Sequence, residues 1–272
     1  IIYGFLGDHL PGVLEASVFP PTKTIVYLYA DHNGVPGLVL QIIVELVLAF
    51  IMFGKMMEVS GAMTFLNNLA LGVMGHRRGG PAKVAVVASS AFGSISGSTV
   101  ANIMSTGIVT IPMMKKTGFQ SRYAAAIEAV ASNGGQIAPP VMGATAFIIA
   151  EFLEVPYADV VTAALLPAII YFFILFLQVD GIATRFGIKG LAKSELPRVG
   201  TVLLSGWSYL VPLGVMIYFL IGLGYRAGLA GMYACGVLLI LMIIKDRRIP
   251  GHKQWIRIFV EGGDNLLPLL MI

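Results

Sequence analysis

Residues 83–116 read KVAVVASSAFGSISGSTVANIMSTGIVTIPMMKK, an apolar run with Lys83 at one end, Lys115 and Lys116 at the other, and the small-polar knot Gly93-Ser94-Ile95-Ser96-Gly97-Ser98-Thr99 near its middle. A helix that crosses a membrane normally shows opposite loop charge at its two ends. Matching basic flanks therefore predict a segment that enters and leaves on one side, a re-entrant hairpin with a hydroxyl-rich tip. Non-helical backbone at membrane depth is tolerated only where protein buries it or where it lines a cavity, so the tip is a candidate ligand site.

Working outward, 57% of the 272 residues are hydrophobic and only 12% charged, with a mean hydropathy of +0.85. No single soluble core of this length would hide so much apolar surface, and an all-α polytopic membrane protein follows. The chain begins with Ile1, no signal-peptide pattern precedes its apolar runs, and its last residues enter another apolar segment. It reads as a piece of a longer protein. Cys235 is the single cysteine, which excludes a disulfide within the chain.

Grouping the loops places sixteen of the eighteen Lys and Arg on one side, among them Lys55, Arg78, Lys83, Lys116, Arg122, Lys189 and Lys245. The opposite side holds Lys23 and Arg226 against Asp8, Glu15, Asp31, Glu151, Glu154 and Asp159. The positive-inside rule makes the first side cytoplasmic. The basic balance thus reports topology and gives no reason to expect a nucleic-acid partner.

The expected organisation is an outward-facing loop and amphipathic region over 1–36, then a span and an interfacial connecting helix over 37–75. A hairpin-and-broken-helix unit covers 76–157, with the hairpin at 83–117 and the broken helix at 121–155. Spans over 158–252 form a scaffold with a basic amphipathic connector at 183–198. Residues 253–272 resemble 60–75 in character and open a second repeat. The helix beginning near Arg122 is interrupted by Ser132-Asn133-Gly134-Gly135-Gln136-Ile137-Ala138-Pro139-Pro140. Ten or so helical residues rise roughly 15 Å, which puts this break near the middle of a core of about 30 Å, at the depth of the hairpin tip.

Each broken helix leaves unpaired carbonyls at the end of its first half and unpaired amides at the start of its second. The carbonyl ends suit a cation, with Gly93, Ser94, Ser96, Ser132, Asn133 and Gly134 as candidate ligands. The amide ends, near Ser98-Thr99 and Val141, suit a carboxylate, with Ser96, Gly97, Ser98, Thr99, Asn102, Gly135 and Pro139 as candidates. Pro139-Pro140 is expected to start the second half-helix. Such a pairing of breaks is expected of a secondary transporter site at the bilayer midplane. Glu45, near the centre of its span, and Glu128 are either proton or coupling residues or locally hydrogen-bonded structural ones, Glu128 with Arg122 or Lys115 as partners. The four histidines stand singly in different loops, and no nucleophile motif, carboxylate pair or phosphate loop is present, so neither a metal centre nor an enzyme is indicated.

The run Ser90-Ala91-Phe92-Gly93-Ser94-Ile95-Ser96-Gly97-Ser98-Thr99-Val100-Ala101-Asn102, followed by Thr110-Ile111-Pro112-Met113-Met114-Lys115-Lys116, resembles the large membrane subunit of TRAP transporters. Glu128-Ala129-Val130-Ala131-Ser132-Asn133-Gly134-Gly135-Gln136-Ile137-Ala138-Pro139-Pro140 is similar to the TAXI branch, whose permeases are commonly fused. The resemblance implies secondary uptake of an organic acid, a carboxylate or amino acid, across the cytoplasmic (inner) membrane of a prokaryote. It implies coupling to a Na⁺ or H⁺ gradient, no other cofactor, delivery by a periplasmic or extracellular binding protein, and an elevator motion against membrane lipid. Asn133 stands where a Thr is often found. With one hairpin, the chain would hold half of the site, the remaining half of the same permease supplying the rest. The alternative is a channel or structural membrane subunit in which the breaks serve packing only.

Overall fold

The computed structural model describes residues 12–14, 20–31, 37, 40, 48–246 and 251–270. Described residues outside the loops are helical: α1 Pro21–Ala30, α2 Leu48–Val59, α3 Ala62–Met74, α4 Gly80–Ser96, α5 Thr99–Lys116, α6 Ser121–Asn133, α7 Ala144–Phe152, α8 Tyr157–Arg185, α9 Val199–Ile217, α10 Ala227–Asp246 and α11 His252–Leu270. The helices α8 and α10, and the segment Lys193–Gly222 that contains α9, are long and apolar enough to cross a membrane. This is an all-α polytopic membrane protein. Glu45 lies outside the described residues, as does most of the expected loop over 1–36.

The hairpin forms from α4 and α5, joined by Gly97-Ser98 alone. Its arms run antiparallel, because Ser89 and Thr106 hydroxyls meet at 3.1 Å while Asn102 Nδ2, nearer the tip, reaches the Ser89 carbonyl at 2.9 Å. Lys83 and Lys116 thus return to the same end. Gly97 closes α4 in the left-handed region at φ +61°, its N–H bonding the Gly93 carbonyl. A Cβ there would stand 1.7 Å from the Met142 carbonyl oxygen, so both the dihedral and the space demand glycine. Ser98 opens α5 by accepting the Ala101 N–H on its hydroxyl at 3.3 Å.

The expected break in the next helix is present, with one correction. After α6 come a 3₁₀ turn at Gly134–Ile137 and extended backbone at Ala138, and the second half-helix begins at Ala144. Pro139-Pro140, joined by a cis peptide bond, lies inside the interruption and does not start α7. A residue before proline is pushed out of the helical region, and Ala138 at φ −82°, ψ 113° obeys this.

Among the described residues three apolar clusters join the helices, the smallest being Ala70, Val84 and Ala88 between α3 and α4. Phe50, Phe53, Met56, Met57, Phe65, Met216, Leu220 and Leu238 join α2, α3, α9 and α10, and Phe92, Ile95 and Phe147 add the hairpin end and α7. Ala82, Ala85, Val86, Met114, Ala124, Ile127, Ala131, Leu175, Val179 and Ala183 join α4, α5, α6 and α8. Small alanines let these helices approach closely, the usual device where lipid removes the hydrophobic drive. Lys83 and Arg78 both pair with Asp180 of α8. The span α8 therefore packs with the hairpin. Leu165, Leu166, Ile169, Phe173 and Leu177 on its far face are exposed, as for a lipid-facing stripe.

In the connector after α8, the helix itself runs to Arg185 and a 3₁₀ turn at Lys193–Glu195 follows. The stretch is laced to the loop before α4, Gly79 N–H to the Ile188 carbonyl at 3.2 Å and Leu191 N–H to the Gly75 carbonyl at 2.9 Å. A Cβ on Gly190 would collide with the carbonyl of His76 at 2.3 Å. The α2 and α3 helices meet at 69°, so α3 leaves the direction of the span that precedes it.

Candidate functional site

The hairpin tip and the interruption of the second helix are in contact. A Cβ added to Gly93 would fall 2.4 Å from the Gly135 Cα, and one on Gly135 would fall 2.6 Å from the Gly93 Cα. Two backbones cross here with no room for a side chain. The Val141 N–H donates to the Ser94 carbonyl at 3.1 Å, and Thr99 Oγ1 donates to Asn133 Oδ1 at 3.4 Å. The interruption is held from its other side by the Tyr157 hydroxyl, which reaches the carbonyls of Pro140 and Val141 at 3.1 and 2.6 Å.

Beside this crossing lies a cavity of about 760 Å³. Ser96 to Ala101, Gln136, Ile137, and Val141 to Phe147 border it from the two breaks, and Phe50, Ile51, Gly54, Lys55 and Glu58 border it from α2. The N-termini of α5 and α7 both open on it, each carrying the partial positive charge of a helix start. An anion in the cavity therefore meets two helix dipoles. Among the predicted residues Ser96, Gly97, Ser98 and Thr99 line the cavity. The second amide end is supplied by Ala144 and Thr145, because the Val141 amide caps α4.

The remaining predicted residues stand behind that wall. Asn102 is fully buried, its Nδ2 on the Ser89 carbonyl beneath the Gly93–Gly135 crossing, and it is absent from the cavity lining. Pro139 and Gly135 also stand back from the cavity, and Gly134 is pressed against the Tyr171 ring. The Ser94 hydroxyl donates to the Ala91 carbonyl. Carbonyls of Gly93 and Ser94 each hold one donor, which leaves each a second lone pair for a cation. Ser132 differs, since its hydroxyl turns to Glu128 at 3.3 Å and its carbonyl accepts the Gly134 N–H.

Glu128 has neither Arg122 nor Lys115 as partner. Its carboxylate is fully buried and meets the hydroxyls of Thr106 and Thr110 of α5, Ser89 of α4 at 3.2 Å and Ser132 of its own helix. Three helices are sewn together at this one side chain. Sequence reasoning missed this ring because its members are spread over residues 89–132, missed Lys55 as a cavity residue because it read as a topology charge, and did not single out Glu58 or Asp264. The signal for Lys55 and Glu58 was the three-residue spacing of opposite charges directly after an apolar run.

A family model described as the DctM component of the tripartite ATP-independent periplasmic transporters matches residues 12–272. The 2,3-diketo-L-gulonate TRAP transporter large permease protein YiaN of Escherichia coli (strain K12) is 27% identical over 182 residues, 66% of this chain and 41% of that protein. A putative TRAP transporter large permease of Haemophilus influenzae Rd is 26% identical over 207 residues, 74% of this chain and 47% of its own length. The C4-dicarboxylate TRAP transporter large permease protein DctM of Pseudomonas aeruginosa PAO1 is 25% identical over 230 residues, covering 82% of this chain and 52% of the relative. The chain thus spans about half the length of the curated relatives it matches. With its apolar spans it is an inner-membrane protein and a transporter component, not an enzyme. It belongs to the DctM family, the large membrane subunits of TRAP transporters.

Proposed function

We propose that this chain forms half of the translocation site of a secondary transporter that takes up an organic acid, a carboxylate or an amino acid. A periplasmic binding protein delivers the acid, and a Na⁺ or H⁺ gradient drives its accumulation by an elevator motion. The reading rests on one observation above the rest: two helix interruptions meet, and two helix N-termini open on the same cavity. The acid's carboxylate sits at the starts of α5 and α7. A coupling cation takes carbonyl oxygens at the crossing, from Gly93, Ser94 and Gly134, with Ser96 and the Asn133 side chain beside them. The fused TAXI-type arrangement is the branch that the motif around Asn133 favours.

The test is uptake of labelled organic acids by the complete permease, reconstituted with its binding protein under imposed Na⁺ and pH gradients applied separately. Accumulation driven by one of the gradients is the expected result. Flux that is indifferent to both gradients would make the protein a channel and overturn the reading.

A further inference from the structure

The α2 wall of the cavity carries a charge arrangement that the uptake reading leaves unused. Lys55 is the one basic side chain among the described lining residues, and it is 11% exposed. Two carboxylates hold its ammonium at once, Glu58 at 3.0 Å and Glu261 of α11 at 3.2 Å. The two partners differ in kind. Glu58 is three residues along the same helix, so helical geometry fixes that pairing. Glu261 reaches across from another helix and its side chain is 34% exposed, so it is the partner nearer to water.

A largely enclosed ammonium without an anion is unfavourable, and here the protein's own carboxylates, Glu58 and Glu261, supply one. An organic anion entering the cavity meets partial positive charges at α5 and α7 and the ammonium of Lys55, against the carboxylates of Glu58 and Asp264 that also line it.

We propose that Lys55 is a substrate-recognition residue and that a carboxylate of the transported acid replaces Glu261 on its ammonium. This rests on the uptake reading. The exchange balances in charge: one carboxylate leaves, one arrives, no proton moves, and Glu58 keeps the ammonium aimed throughout. A ligand shifts a conformational equilibrium only by its differential affinity for the two states. Here the difference is explicit, because an acid bound to Lys55 takes the place of the α2–α11 ion pair that Glu261 makes.

The rival is that Lys55 merely ties α2 to α11, and the two ideas give one variant different signs. Uptake of labelled succinate, 2-oxoglutarate and glutamate by the complete permease first selects the best-transported acid. Its Kd is then measured by calorimetry on the purified permease without the binding protein. Glu261→Gln removes the competing anion and is expected to tighten binding several-fold, while Lys55→Met weakens it about tenfold or more and Lys55→Arg retains most of the affinity. If Glu261→Gln leaves Kd unchanged or weakens it, Lys55 is a structural tie and the proposal is overturned. Should Lys55→Met fail to fold, Glu261→Gln decides alone. Uptake with unchanged Kd in Glu261→Gln leaves the transporter reading standing, whereas no uptake of any of the three acids overturns both.

Discussion

Gly93 of the hairpin and Gly135 of the broken helix touch backbone to backbone, with the Asn102 amide 3.1 and 3.3 Å from where their Cβ atoms would be. The amide is buried and bonded to the Ser89 carbonyl. Overpacking of this kind costs about 1–3 kcal/mol, and Gly93→Ala or Gly135→Ala is expected to destabilise the purified permease by that amount. Thermal unfolding in detergent checks it, with Gly181→Ala, where a Cβ meets nothing within 4 Å, as the reference.

Glu128 gives a second expectation. Truncation to Ala removes the shared partner of Ser89, Thr106, Thr110 and Ser132 and leaves a cavity among buried hydroxyls. A loss of about 3 kcal/mol is expected, since each orphaned polar group carries its own desolvation cost. Glu128→Gln keeps shape and one acceptor, and is expected to lose less than half as much by the same unfolding measurement.

Asp180 is the anion for both Lys83 and Arg78, and the Lys83 side chain is only 7% exposed. Asp180→Asn strands that ammonium, at an expected cost of about 2 kcal/mol, while the double variant Lys83→Met with Asp180→Asn recovers part of it. A double-mutant cycle read by chemical denaturation gives the coupling. Strict additivity of the two changes would show that the pair contributes nothing.

Tyr157→Phe deletes the one hydroxyl that holds the Pro140 and Val141 carbonyls. The stacked Phe147 ring, 4.3 Å away, keeps the aromatic packing intact, so the change isolates the hydrogen bonds. The expectation is about 1–2 kcal/mol of lost stability together with faster amide exchange over 138–143. Hydrogen-exchange mass spectrometry reads both the size and the place of the effect.

What could be read in the sequence was what local chemistry determines. Lys83 and Lys116 at the two ends of one apolar run announced the hairpin, and Gly134-Gly135 followed by Pro139-Pro140 announced the interruption. The start of α7 was misplaced by a few residues because the Val141 amide is claimed by Ser94, a contact 47 positions away along the chain that no local rule contains. The partner of α8 was equally hidden, since Leu175, Val179 and Ala183 would suit any close helix neighbour. Asn102 was assigned to the ligand by its position one turn into α5. Only the tertiary fold turns it toward Ser89 and away from the cavity.

The bond between Ser94 and Val141 also sets a rule about length. Each residue of an α-helix advances the chain by about 100° around the axis, so one residue inserted or deleted between the start of α4 and Ser94 would swing that carbonyl away from its amide. The same slip would carry Gly93 off Gly135 and Ser89 off Glu128. This helix therefore acts as a ruler, and variation in this region should run through substitution and almost never through change of length.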